Sequence, residues 1–501
     1  MKDLLSKHPY FVALLPIFFV LHGYVAHAEF IAAGSIGLLL LLLLGAAGIL
    51  YFLFRILLQQ PIKAGLFTLY CLGFYLFFGA LYDFLKAWSP WAFVWKYSVL
   101  LTTFLVLAII LFLFLRRSKT GMGRTAFFFN LLFLIFIGID LLSLVNKKWL
   151  KKDDNAAAVT ANKQKILPGI HRPDIYLLLF DEYSASHTLK ELYQFDNSGL
   201  DSFLTQQGFH LISGSKSNYP ETSFSMASCL NMDYLHWLRP GMEIRREHYQ
   251  RCAEEIRNNE VMQLLADNGY QVVNQSVFDL RHHPAPVSQR WLSIDTRLIT
   301  EETLLSRLCH EFNWFFNRYA LLRKILPVTS YEEQMLNNDR CLAGVLATST
   351  VKTNRPRFVY GHFLLPHFPF YKNKNGQILP DTIVNGVMEE KIAPLPHYLE
   401  YVQYTNTEVK KLVAGIRANN PQAVIIFLSD HGYRWNVPAA QLSHVFYNQN
   451  AVYLPSGQYG KFYDSITNVN QFRVIFNSLF GTQYPLLIDT SLFVQPGLNP
   501  H

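Results

Sequence analysis

Hydrophobic residues fall along this chain in two rhythms. Up to about position 145 they form long, nearly unbroken runs, whereas beyond position 168 they form short runs separated by polar and helical patterns. Crossing a bilayer core takes about 20 consecutive apolar residues. Residues 30 to 54, without a single charge, satisfy this best; residues 64 to 82, 97 to 115 and 126 to 145 follow, the last containing Asn130 and Asp140. Residues 9 to 28 form a weaker fifth run, interrupted by Pro16, His22 and His27. No small-residue cleavage site follows this first run, so the pattern predicts a span rather than a removable leader. About five spans are predicted.

Orientation follows from the basic residues. With a cytoplasmic N-terminus, the inner segments hold Lys2, Lys7, Arg55, Lys63, Arg116, Arg117, Lys119 and Arg124, while the outer loops are poor in lysine and arginine. An odd number of spans then places everything after Val145 outside. The cluster Lys147, Lys148, Lys151 and Lys152 opposes that topology, unless these lysines meet outer-leaflet headgroups. Asp140 is expected near an interface or paired between helices. The predicted organisation is a transmembrane domain over 1–145, a polar, partly helical linker over 146–167, and an extracytoplasmic domain over 168–501.

In the second half, two short runs stand out. Asp174–Phe180 and Val424–Leu428 are apolar throughout their strand positions, the pattern of strands buried on both faces of a parallel sheet. Each ends abruptly in polar chemistry, Asp181-Glu182 after the first and Ser429-Asp430-His431-Gly432 after the second. Open α/β sheets place their sites at such carboxyl ends. A third strand pattern, starting at Arg357, ends at His362 and is followed by His367. Between them, Thr222 to Asn231 reads as a helix opening with hydroxyls, where Thr222 either receives a phosphoryl group at the helix start or simply caps it. Leu189–Gly208 and Tyr398–Arg417 are predicted helices, and Tyr270–Asn274 is a predicted strand. Residues 301 to 328 are aromatic and amphipathic, suited either to the bilayer and membrane helices or to a core. His444 lies in a return segment before another strand, free to face the site or solvent.

Composition changes this picture little. The net charge of +8 is concentrated beside apolar spans, which fits anionic lipid, and no nucleic-acid motif accompanies it. The five cysteines are widely spaced, without a CxxC zinc pattern, which leaves zero, one or two disulfides open.

Taken in order, strand-Asp-Glu, threonine at a helix start, strand-His-x4-His and strand-Ser-Asp-His-Gly resemble the alkaline phosphatase and sulfatase superfamily. With the preceding spans the chain is similar to membrane phosphoethanolamine transferases and lipoteichoic acid synthases. The resemblance implies an α/β domain with a mostly parallel sheet and a divalent metal, zinc or manganese, held by Asp181 or Glu182, Asp430, His431 and the Thr222 oxygen. It also implies a Thr222 nucleophile, with His362, His367 and His444 binding phosphate oxygens, protonating the leaving group or holding a second metal. Sulfatases use a Cys/Ser-x-Pro-x-Arg motif, whereas this chain has Thr222-Ser-Phe-Ser-Met226, so sulfate-ester hydrolysis by that route is not expected. The activity implied is transfer of a phospho-alcohol headgroup, phosphoethanolamine or phosphoglycerol in type, from a membrane phospholipid to an envelope glycan or glycolipid at the inner membrane. A sulfatase-like phosphodiesterase or phosphatase and a non-catalytic membrane scaffold are the alternatives.

Overall fold

In a computed structural model, all residues are described except 1, 28–30, 32, 33, 158–168, 240, 241, 245, 288–295, 320, 323–325, 327–330, 391, 392, 436 and 497–501. The chain forms two compact units, Met1–Ala161 with Arg290–Val328, and Asn162–Gln289 with Thr329–His501.

The first unit is helical. Its N-terminal part comprises α1 (Lys2–Lys7), α2 (Phe11–Ala26), α3 (Ser35–Leu58), α4 (Pro61–Trp88), α5 (Tyr97–Arg117) and α6 (Gly123–Ala157). Four of these, α3 to α6, are long and apolar enough to cross a membrane, and α2 is a shorter apolar helix containing Pro16. Polar residues inside this unit are matched across helices. The Asn130 side chain accepts from Phe11 N–H at 2.6 Å and donates to the carbonyls of Leu5 and His8, joining α6 to the α1–α2 junction. Asp140 pairs with His22 Nδ1 at 3.1 Å, the helix-to-helix pairing anticipated for a carboxylate in an apolar span. The helix α6 continues through Ala157, so the first part of the expected linker is helical. The side chains of Lys147, Lys148, Lys151 and Lys152 lie outside the described residues.

The second unit is an α/β domain. Its strands are β1 (Ile175–Phe180), β2 (His210–Leu211), β3 (Glu243–Ile244), β4 (Gln271–Gln275), β5 (Arg357–Phe363), β6 (Val424–Leu428), β7 (Asn450–Tyr453) and β8 (Gln495–Pro496). Six of them make one sheet in the order β2-β7-β6-β1-β5-β4. β4, β5, β1 and β6 run parallel, and β7 is antiparallel to β6. β1, β5 and β6 are buried at every position because they lie inside this sheet, which is why β1 and β6 are uninterruptedly apolar in sequence. Register aligns their ends: Leu179 of β1 pairs with His362 on one side and Leu428 on the other. Asp181, His362 and Asp430 are thereby brought to one edge of the sheet.

The helix predicted over 189–208 is two helices, Ser186–Tyr193 and Ser198–Gln206. The chain leaves the first through Gln194 in the left-handed region, φ 55°, and the Asp196 carboxylate then accepts from Ser198 N–H. Local polar chemistry thus outweighs a continuous apolar face. All five cysteines are free thiols, so no disulfide forms.

Candidate metal centre

The site is built where three strands stop. Just beyond β1, Asp181 still follows the sheet, its N–H bonded to Phe363 O at 3.0 Å. Glu182 then turns through the left-handed region at φ 62°, a conformation that costs a non-glycine residue on the order of 1–3 kcal/mol. Bonds on both sides hold it there: its N–H donates to Asp430 Oδ1 at 3.0 Å, and its carbonyl accepts from the Tyr398 hydroxyl at 3.0 Å. The turn sends neighbouring carboxylates in different directions. Asp181 enters the cluster, whereas Glu182 Oε1 lies 3.7 Å from Arg434 Nε and its Oε2 lies 3.9 Å from His367 Nε2.

Beyond β6, Asp430 divides its two oxygens. Oδ1 accepts from the backbone N–H groups of Glu182 and His431, fixing both loops. Oδ2 is buried and, among the described residues, accepts no hydrogen bond, although His431 Nε2 is 3.2 Å away. His431 Nδ1 faces the Gly432 carbonyl at 2.9 Å, which makes Nδ1 the protonated nitrogen and leaves Nε2 its lone pair. Asp181, Asp430 and His431 each present a ligand atom, all within 4.8 Å of one another, and all three residues are buried.

Thr222 meets this cluster from the other side. It is the first residue of the helix Thr222–Asn231, and the capping position belongs to Glu221, which makes no side-chain cap bond. The capping role considered for the threonine is therefore not its role in the fold. Its Oγ1 lies 3.4 Å from both Asp181 oxygens and 3.3 Å from His431 Nε2. Ser225, one turn on, donates to the Asp430 carbonyl at 2.7 Å and so ties the helix to the β6 loop.

The three histidines named from the sequence separate. His362 is fully buried, with Nε2 3.4 Å from Asp181 Oδ2 and Nδ1 3.0 Å from the Tyr360 hydroxyl. His367 lies at the rim facing Glu182, partly open to solvent. His444 does not join them: its Nδ1 is 3.5 Å from Thr188 Oγ1 and its ring packs on Tyr447. The return segment carries it to the helix that begins at Ser186 rather than over the cluster.

Electrostatics mark the same spot. Burial pushes the Asp430 carboxyl above its ordinary range, and the negative charge of Asp181 adds to this. Burial acts on Asp181 in the same direction, but the charge of His367 and the hydrogen bond from His362 outweigh it and hold that carboxyl well below the usual range. Two buried carboxylates side by side, one with an oxygen accepting no hydrogen bond, together with a free imidazole nitrogen, fit a divalent cation.

Two contributors were not read from the sequence. Arg434 binds the Glu221 carboxylate at 2.7 Å and the Pro220 carbonyl at 3.0 Å, tying the loop before Thr222 to the loop after His431. Asn468 donates to the carbonyls of Ser429 and Asp430 at 3.3 and 3.2 Å. Arg434 lies four residues beyond Asp430, and that proximity was the only available signal; Asn468 had none.

The family model described as Sulfatase matches residues 204–474, more than half of the chain. The chain belongs to the sulfatase family. The matched region of this sulfatase-family chain includes Thr222, His362, His367, Asp430, His431 and His444, and begins after Asp181 and Glu182. No curated protein sequence matches the chain. Among solved structures, it is similar to the C-terminal periplasmic domain of EcEptC from Escherichia coli in complex with Zn, at 10% identity over 66% of this chain and 92% of that one, TM-score 0.41. The integral membrane lipooligosaccharide phosphoethanolamine transferase A from Neisseria meningitidis matches at 12% identity over 94% and 96% of the two chains, TM-score 0.36. A putative sulfatase from Bacteroides fragilis matches at 11% identity over 66% and 78%, TM-score 0.36. The family assignment rests on the family model.

Proposed function

We propose that this protein is an inner-membrane, metal-dependent phosphotransferase. In this reading it moves a phospho-alcohol headgroup from a membrane phospholipid to an envelope glycan or glycolipid through a phospho-threonine intermediate, with its catalytic domain outside the cytoplasm. The observation that carries the reading is the position of Thr222 Oγ1 within 3.4 Å of Asp181 and His431, at the start of a helix. Asp181, Asp430, His431 and Thr222 would hold the cation, zinc or manganese, with Glu182 kept aside by Arg434. When bound, the cation supplies Lewis-acid screening of phosphoryl charge and lowers the pKa of the nucleophilic hydroxyl.

The chain's own residues then have distinct tasks. Thr222 gives up its hydroxyl proton to solvent water and its oxygen bonds to phosphorus, while the bond from phosphorus to the lipid alcohol breaks. That alcohol leaves with a proton from His367, the solvent-accessible imidazole of the set. His362 holds Asp181 in place between Tyr360 and the carboxylate. In the second half, an acceptor hydroxyl loses its proton to the now neutral His367 and bonds to phosphorus, the bond from phosphorus to the Thr222 oxygen breaks, and Thr222 is reprotonated from solvent water. The spanning helices on the same chain keep the site beside its lipid donor, which raises effective concentration without new contacts.

Reconstituted chain with phosphatidylethanolamine and phosphatidylglycerol tests this. Thr222→Ala is expected to lose headgroup transfer by on the order of 10⁴-fold or more while keeping bound metal. Full activity in that variant would remove the nucleophile assignment.

A further inference from the structure

Part of the chain that lies beyond the spanning helices in sequence folds against them. The helices Arg297–Thr300 and Leu304–Glu311 belong to the first unit, although in sequence they lie between two stretches of the α/β domain. Small residues make this possible. A Cβ on Gly23 of α2 would lie 2.7 Å from Ile299, and one on Gly79 of α4 would lie 2.9 Å from the Glu302 Cα. Helix α4 is irregular at Phe77, and Gly79 N–H donates to the Glu302 carbonyl at 2.8 Å. Arg307 pairs with Asp83 at 2.5 Å and with Glu302 at 3.0 Å, and Leu304 packs on Phe78, Tyr82 and Leu100. One side of the segment is thus bonded to the ends of α4 and α5.

Its other side is amphipathic, carrying exposed apolar side chains together with the exposed Glu311 and Arg318. Leu305, Phe315, Tyr319 and Leu321 are exposed, the last by 68%. The segment adjoins the connection between α4 and α5, through Phe312 against Tyr97 at 6.0 Å. The end of α4 and that connection carry exposed aromatics of their own, Trp88 at 79% and Trp91 at 65%. Tryptophan and tyrosine favour the headgroup level of a bilayer, where an apolar ring and a polar edge are both satisfied.

We propose that the segment from Leu304 to Tyr319, together with Leu321, forms a membrane-surface element, seated in the headgroup layer of a phospholipid bilayer beside the α4–α5 connection. The chain then enters the lipid at this segment as well as through its spanning helices. This inference does not depend on the catalytic reading.

The test uses the full chain in nanodiscs of phosphatidylethanolamine and phosphatidylglycerol. Leu321→Cys, Leu305→Cys, Gln458→Cys in an exposed loop of the α/β domain, and Ile109→Cys on the exposed face of α5 are each labelled with an environment-sensitive fluorophore. The unsubstituted chain, whose native thiols are mostly buried, serves as blank. Spin labels at the headgroup are expected to quench positions 321 and 305 at least about twofold more than position 458, with labels deep in the acyl chain quenching position 109 best. Quenching at 321 and 305 no greater than at 458 would overturn the proposal, as would the deep profile of position 109. Protection accompanied by thiol cross-linking between copies of the Leu321→Cys variant would overturn it too, by assigning the face to a second copy.

Discussion

The strand β1 has an aspartate at each end, and the two could hardly be treated more differently. Asp174, at the amino end, is surrounded by donors: Arg357 Nε and Nη2 at 3.0 and 2.6 Å, Arg357 N–H at 2.7 Å and Asn420 at 2.8 Å. Asp181, at the carboxyl end, faces a second buried carboxylate, three histidines and a threonine, and among the described residues no guanidinium bonds to it. One end of the sheet has neutralised its acid with protein, as a structural ion pair must. The other has gathered acids and left an oxygen of Asp430 without a donor, an arrangement that stability alone would not retain. Burial of a carboxylate therefore does not mark a site; burial beside a second carboxylate, an imidazole and a hydroxyl does.

The largest expected contrast comes from exchanging one acid at each end. Asp430→Asn should cost on the order of 10⁴-fold in turnover, about 5.5 kcal/mol of transition-state stabilisation, and should remove bound metal as measured by elemental analysis. The metal-free variant should be at least as thermally stable as the metal-free parent, because a like charge beside Asp181 has gone. Asp174→Asn should show the reverse pattern, retaining metal and turnover per folded molecule while losing stability.

Next in size is the amino end broken from its other side. Arg357→Met leaves the largely covered Asp174 without its cation, and denaturant titration should read a loss of about 3 kcal/mol. Combining it with Asp174→Asn should recover part of that loss, since no charge is then stranded. A full-strength additive loss in the double variant would mean that the two residues do not act as a pair.

The smallest effect concerns metal alone. Chelation should lower the stability of the parent by about 2.7 kcal/mol if the cation is present at about 100 times its dissociation constant. The same treatment should leave Asp430→Asn unchanged. Equal shifts in both proteins would place the stabilising cation elsewhere.

Much of this contrast could be read from sequence, for a physical reason. A strand buried on both faces must be apolar throughout, so β1 and β6 announce themselves, and the acids at their ends stand out against them. Thr222 was legible as a hydroxyl at a helix start, but only the fold shows that its oxygen turns to Asp181 instead of capping. The divergence of Asp181 from Glu182 was not legible, because it depends on one left-handed residue held by Tyr398 and Asp430, more than 200 positions away. His444 was placed among the candidates by its position in a return segment, and the direction in which such a segment folds back is a tertiary matter. The amphipathic pattern over 301–328 left two placements open, the membrane helices or a core, and the fold settles the described part on α4; the exact docking was not legible, since Gly23 and Gly79 acquire meaning only when Ile299 and Glu302 arrive beside them.

The central claim is that Thr222 carries the transferred group. Intact-protein mass spectrometry of the metal-loaded chain after incubation with phosphatidylethanolamine or phosphatidylglycerol, without an acceptor, tests it directly. A phospho-alcohol adduct that fragmentation places on Thr222 and that Thr222→Ala abolishes is the predicted result. An adduct on another residue, or turnover in the presence of acceptor with no adduct at Thr222 under any trapping condition, would contradict it.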